Sequence, residues 1–236
     1  ITDNDEVDIY QHIIVTKSDV YYGVASIKNL LRRITELKVN NARHANPLTQ
    51  LPGNVAINQI IEEQLSRMRS FHVAYFDLNH FKPYNDIYGY EQGDQIIKWL
   101  AQILQKQLFR HGHFIGHIGG DDFVAIFKDI DKEQTEEQCN KIIRDFEQDI
   151  TRFYHQEHID LGGIKALSRN GTPVFYPLLG LAIGVVQPDP SECLSHHDVA
   201  LLASEAKKEA KQSDGSRCYM CHRQKPRRLR QISPQQ

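Results

Sequence analysis

Cysteine is scarce in this chain, charge is nearly balanced and long apolar runs are missing. Four cysteines among 236 residues, Cys139, Cys193, Cys218 and Cys221, are too few for a disulfide scaffold and predict a reducing, cytoplasmic compartment. A formal net charge of -2 supplies neither the basic field of a nucleic-acid binder nor a strongly acidic one, so nucleic acid is not expected as a partner. No apolar run approaches the roughly 18 residues of a membrane span. The acidic start "ITDNDEVDIY" lacks the character of a secretory leader, and the chain reads as an excerpt from a longer protein. "CYMCH" holds one Cys-x-x-Cys, but a zinc site needs four ligands and no second pair stands at finger-like spacing. On a terminal strand, Cys218 and Cys221 would point to opposite faces. Internal repeats are absent as well.

With 40% hydrophobic residues the chain can bury a substantial core. "HIIVTKSDVYYGVA" shows two β-rich runs around a turn, and Ser26 caps a helix whose apolar stripe is Ile27, Leu30, Leu31, Ile34 and Leu37. A second helix opens at Asn54 with Ile57, Ile60, Ile61, Leu65 and Met68 on one face, which places a boundary near residues 40 to 50. "FHVAYFDL" has the continuous apolar look of a buried central strand. Helices follow with stripes at Ile96, Ile97, Leu100, Ile103 and Leu104, then at Cys139, Ile142, Ile143, Phe146, Ile150 and Phe153. "GIKALS" and "FYPLLGLAIGVV" read as strands around the turn "RNGTP"; a last helix carries Val199, Leu202, Ala203, Ala206 and Ala210, and a short strand closes the domain. This order predicts a sheet of mixed strand direction covered by helices. The tail "HRQKPRRLRQISPQQ" reads as solvated and flexible.

Between two alternating apolar arms, "FIGHIGGDDFVAIF" is a hairpin whose Gly119 and Gly120 permit a tight turn and bring Asp121 and Asp122 to its tip. Aspartates are common in turns because they bond their own backbone, so the pair has a purely structural reading. Asp77, where "VAYFD" runs out toward solvent, could similarly cap the next helix. If the two strands are neighbours, however, Asp77 and Asp121 converge at one rim, where two carboxylates can hold Mg²⁺ against nucleotide phosphates.

"FDLNHFKPYNDIYGYEQGD", "HIGGDDF" and "NPLTQLPGN", in this order over residues 46 to 221, resemble the GGDEF domain of diguanylate cyclases, which join two GTP molecules into cyclic di-GMP. The resemblance implies an α/β (α+β), palm-type nucleotidyl cyclase fold with a central mixed, mostly antiparallel sheet flanked by helices. "IIVTKSDVYYGVASIKNLLRRIT" resembles the closing hairpin and helix of a CBS motif. The expected organisation is therefore a partial CBS motif and connecting helix over 1–45, a GGDEF domain over 46–221 and a basic tail over 222–236. It is similar to proteins in which EAL (phosphodiesterase-type) and CBS domains precede the GGDEF domain. By position, the resemblance assigns Asp77, the Leu78 carbonyl and Asp121 to Mg²⁺, Asn85 and Asp94 to the guanine edge, and the amides around His80 and Phe81 with Lys211 to the triphosphate. Asp121 and Asp122 fall on the catalytic signature.

The chain departs from this pattern at several points. The fourth signature residue, usually Glu, is Asp122; one methylene fewer withdraws the carboxylate by about 1.2–1.5 Å, and a misplacement near 1 Å can cost on the order of a hundredfold in rate. Tyr90 stands where the family has His, and Ser216 where it has Arg, with Arg217 next door. The upstream RxxD of product inhibition maps onto Arg110 and His113, which lacks the carboxylate. Two functions follow: a homodimeric diguanylate cyclase, or a GTP-binding module with weak or absent turnover that regulates an attached phosphodiesterase domain. The second is preferred.

Overall fold

A computed structural model of the chain describes residues 12–167 and 171–226, without the side chains of 37–43. The acidic start, the first part of the 169–173 turn, the Leu37 side chain and the tail from residue 227 lie outside the described residues. The chain divides into two compact units, Ile1–His44 and Ala45–Gln236.

In the first unit, β1 (His12–Lys17) and β2 (Val20–Ser26) form an antiparallel hairpin, and α1 (Ile27–His44) starts directly after Ser26. The predicted stripe of α1 is exposed at Leu30, Leu31 and Ile34, as are Ile14, Val20 and Tyr22 of the hairpin.

The second unit is built on α2 (Asn54–Ser66), β3 (Phe71–Asn79), α3 (Phe81–Tyr88), α4 (Tyr90–Leu108), β4 (Phe114–Gly119), β5 (Asp122–Lys128) and α5 (Lys132–Asp149). It continues with α6 (Gln156–Leu161), β6 (Gly163–Leu167), β7 (Pro173–Pro177), β8 (Gly180–Val186), α7 (His196–Ala210) and β9 (Arg217–Met220). The central sheet runs β4-β5-β3-β8-β9, antiparallel except for the parallel β8–β9 pair, while β6 and β7 form a separate ribbon. This is the mixed, mostly antiparallel architecture expected.

Strand parity decides which helices each residue meets. In β3, Ala74, Phe76 and Leu78 pack with α4 and α5, whereas Phe71 and Val73 face α2 and α7. In β5, Phe123, Ala125 and Phe127 share the first layer, while Val124 and Ile126 share the second. Asp77 and Asp122 therefore both belong to the α7 face. The same parity separates Cys218, packed on the first layer, from Cys221 on the second.

The polar residues after Asp77 form the helix α3, because Pro83 is tolerated in a first turn and Tyr84 anchors the helix, fully buried with its hydroxyl donating to the Phe153 carbonyl at 2.9 Å. Three expectations need correction. Met68 lies beyond the end of α2, with a φ of 51°, and is 63% exposed. "FYPLLGLAIGVV" is two strands, since Pro177 ends β7 and β8 opens at Gly180, where the backbone of residues 215–216 comes too close for a side chain. Finally, Asp77 does not end its strand in solvent: β3 continues to Asn79, whose amide donates to the carbonyls of Ser213 and Gly215, and Asp77 is only 5% exposed.

Candidate functional site

The signature turn is a two-residue hairpin connection closed by the Gly119–Asp122 pair. Gly120 has a φ of 58° while Asp121 stays at negative φ, the sign pattern of a type II′ turn, which requires glycine at its first central position. From below, the turn is held by His117. The Gly120 carbonyl can only accept, so Nε2 of His117 donates to it at 2.9 Å, and Nδ1 accepts from the Thr49 hydroxyl at 2.9 Å. This is the neutral ring, in keeping with burial lowering its pKa against the opposing Gly120 bond and Asp122 charge. Thr49 is itself set by the Asn46 side chain, which accepts from the Leu48 and Thr49 amides. "NPLTQLPGN" is thus a support for the signature turn.

The β3–β5 register ends at Phe76 opposite Phe123, so one step further Asp77 stands opposite Asp122. Asp121, expected beside Asp77, sits one residue into the turn. It is still close enough that its pKa is raised, first by burial and then by the charges of Asp77 and Asp122.

Helix α7 lays two lysines over these carboxylates. Its buried residues Ala203, Ala206 and Ala210 face the sheet, and Lys207 and Lys211, four apart, share one side of that stripe. Gly184 of β8 makes the approach possible, because a β-carbon there would lie 2.3 Å from the Lys207 amide nitrogen. Lys207 Nζ lies 2.6 Å from Asp122 Oδ1 and 3.1 Å from Asp77 Oδ2, while Lys211 Nζ pairs with Asp77 Oδ1. Burial opposes the Lys207 charge, but Asp122 and Asp77 outweigh it and its pKa is raised.

Beside this cluster lies a cleft of about 390 Å³ lined by Leu78, His80, Phe81, Lys82, Pro83, Asn85, Tyr90, Asp121 and Lys211. His80, in left-handed conformation at φ 63°, turns the chain into α3. The first intrahelical bond comes from the Tyr84 amide, which leaves the Phe81 and Lys82 N–H groups free of helical partners. Asn85 lies against Gly93 of α4, where a β-carbon would stand 2.0 Å from Asn85 Oδ1, and that buried oxygen has no hydrogen-bond partner. Most of the residues assigned from the sequence therefore gather at one cleft. Asp94 does not line it and is exposed on the first turns of α4.

Arg110 is exposed and forms no ion pair among the described residues. His113 is buried instead of facing it, its Nδ1 accepting the Lys128 amide at 3.4 Å. Sequence reasoning missed Lys207 and His117. The first was readable only as Lys211 minus four; the second follows from strand pairing, which no local pattern reveals.

The oxygen-rich set of Asp77, Asp121 and the Leu78 carbonyl suits a hard divalent cation in donor chemistry. Both oxygens of Asp77 are engaged by lysines, so an arriving ion competes with them.

A family model described as "Diguanylate cyclase, GGDEF domain" matches residues 43–173, more than half of the chain. The chain is 36% identical over 84 residues to diguanylate cyclase DgcP of Pseudomonas aeruginosa, covering 34% of this chain and 12% of that one. It is 28% identical over 183 residues to signaling protein YkoW of Bacillus subtilis, covering 75% and 21% respectively. The chain thus spans only 12% and 21% of the length of these two relatives. Among solved structures, the coiled coil and GGDEF domain of DgcB from Caulobacter crescentus, in complex with c-di-GMP, shares the fold with a TM-score of 0.60 at 20% identity, over 82% of this chain and 95% of that one.

Proposed function

The chain belongs to the diguanylate cyclase GGDEF family of cyclic di-GMP signalling, and on that premise we propose that it binds GTP with Mg²⁺ at the α3 cleft and turns it over slowly or not at all. Asn85 complements the guanine edge, whereas Asp94, outside the cleft lining, contacts the base only after a rearrangement of α4; the free amides after His80, together with Lys211, receive the triphosphate. Asp77, Asp121 and the Leu78 carbonyl would hold the metal, which when bound neutralises phosphate charge.

Weak turnover is carried by a single observation. Lys207 spans Asp77 and Asp122 at 3.1 and 2.6 Å, placing a fixed cation between carboxylates that the reaction needs free. An ammonium supplies charge but no coordination shell, so it cannot position an attacking oxygen as a metal ion does. Asp122, the shortened signature residue, is the one it grips most closely. The inhibitory site at Arg110 is absent in this reading, because His113 faces the interior.

The output would then be regulatory, exerted on an EAL phosphodiesterase domain elsewhere in the same chain, with residues 1–45 as the closing part of a CBS motif. The exposed apolar residues of β1, β2 and α1 support this, since half of a paired motif leaves its partner face uncovered. The completeness of the cleft favours a second reading, an active homodimer with one GTP in each half-site. Incubating the protein with GTP and Mg²⁺ and chromatographing the products separates the two. Binding with little or no cyclic di-GMP supports the regulatory reading, brisk formation supports the cyclase, and failure to bind GTP removes both.

A further inference from the structure

The helix that borders the nucleotide cleft has a second end. At its C-terminus, Tyr88 stacks on Tyr84 with ring centroids 4.6 Å apart and directs its hydroxyl into the segment "HQEH". The hydroxyl lies 2.5 Å from His158 Nδ1 and accepts the His155 N–H at 3.0 Å. Around it, His155, Glu157 and His158 each present one ligand atom, all within 4.8 Å of one another. Among the described residues no other group of three or more His, Cys, Asp or Glu side chains comes together this way.

We propose that His155, Glu157 and His158 form a binding site for a borderline divalent transition cation, with Zn²⁺ as its representative, through two imidazole nitrogens and one carboxylate oxygen. Imidazole selects this class over Mg²⁺ and Ca²⁺, which take oxygen ligands. Two His and one carboxylate form a known three-ligand zinc set that leaves a fourth position for water or another ligand. The three side chains differ in exposure. His158 is half-buried, and in the tautomer that metal binding requires its Nδ1–H donates to the Tyr88 hydroxyl oxygen, leaving Nε2 as the ligating atom, 3.9 Å from Glu157 Oε1. Such a hydrogen bond on the far nitrogen orients metal-binding histidines and raises their basicity.

His155 and Glu157 are exposed. Tetrahedral bonds of 2.0–2.1 Å place ligand atoms roughly 3.3–3.5 Å apart. The present spread, within 4.8 Å, has to contract by about 1.3–1.5 Å for such a geometry. The i, i+3 spacing at the start of α6 and the edge-on contact of His155 with Tyr88, ring centroids 5.1 Å apart, bring the second imidazole to the His158–Glu157 pair.

The test is calorimetric titration of the full chain with Zn²⁺ in millimolar Mg²⁺, which occupies oxygen-only sites. One site per chain is expected. His155→Gln and His158→Gln should each weaken it by about tenfold or more, and Tyr88→Phe, which leaves all three ligands in place, by about tenfold. Circular dichroism of the variants shows whether the fold is kept, and the exposed His155 is the position least able to disturb it. A Cys218→Ser, Cys221→Ser double variant should bind as before. Absence of Zn²⁺ uptake, uptake unchanged in a folded His155→Gln protein, or uptake lost only in the cysteine variant would overturn the assignment.

Discussion

Asp122 and Asp77 share one ammonium group: Lys207 Nζ lies 2.6 Å from an oxygen of the first and 3.1 Å from an oxygen of the second. Lys207→Met removes that charge, leaving Asp122 without its cation and Asp77 with Lys211 alone. Affinity for Mn²⁺ or Mg²⁺ without nucleotide should rise by about tenfold, or ~1.4 kcal/mol. Stability should fall by about 1.5–3 kcal/mol, the worth of hydrogen bonds to charged groups. Metal titration and urea denaturation measure the two effects. Unchanged metal affinity in a folded variant would show that the lysine does not compete with the ion.

Gly93 and Asn85 form a second coupled pair. A β-carbon at residue 93 would lie 2.0 Å from Asn85 Oδ1, so Gly93→Ala must expel the amide from its seat. Calorimetry should show preference for GTP over ATP in the native chain, and loss of that preference in both Asn85→Ala and Gly93→Ala. The second variant alters no group that could itself touch the base. Equal affinity for the two nucleotides, or full binding by both variants, contradicts the guanine assignment.

The layers of the fold were legible because strand and helix periods both address the core: the Phe71–Leu78 run and the stripes of α4, α5 and α7 are buried as their spacing predicts. Helix α3 was hidden by its polarity. Its single fully buried anchor, Tyr84, is too little for a periodic signal, and its other residues border the cleft. The carboxylates could be named from the sequence, but not their pairing. A one-residue offset across the hairpin puts Asp122, not Asp121, opposite Asp77. Lys207 was invisible because a lysine beside an alanine stripe reads as solvated until Gly184 is seen to bring the helix onto the sheet.

Three buried histidines predict an acid-sensitive fold. His72, His113 and His117 all have pKa values lowered from 6.5, in each case first by burial. They stay neutral in the native protein while the unfolded chain takes up protons near its ordinary value, so their contribution is present above that pH and is lost as pH falls toward their native values. Each proton adds up to about 1.4 kcal/mol per pH unit to the slope. Asp121, raised instead of lowered, acts in the opposite sense, and Asp121→Asn removes it from the comparison. Urea midpoints of that variant should fall between pH 7 and pH 5. A flat profile would mean that the rings are charged or solvated in the native state.

Replacing Asp122 by Glu tests whether the signature turn is merely too short. The added methylene advances the carboxylate by about 1.2–1.5 Å, and cyclase activity should rise by about a hundredfold, equivalent to about 2.7 kcal/mol of transition-state stabilisation. The gain belongs in kcat and not in KM, because the cleft lined by Asn85, His80 and Lys211 is untouched. Lys207 bears on the outcome, since an advanced carboxylate can remain paired with its ammonium. If Asp122→Glu alone is inert and Asp122→Glu with Lys207→Met is active, the lysine is the dominant block. If both bind GTP and neither turns it over, the defect lies at Tyr90, Ser216 or the approach of two half-sites. A native chain that already forms cyclic di-GMP briskly would remove the premise, because neither the short carboxylate nor the shared ammonium would then be limiting.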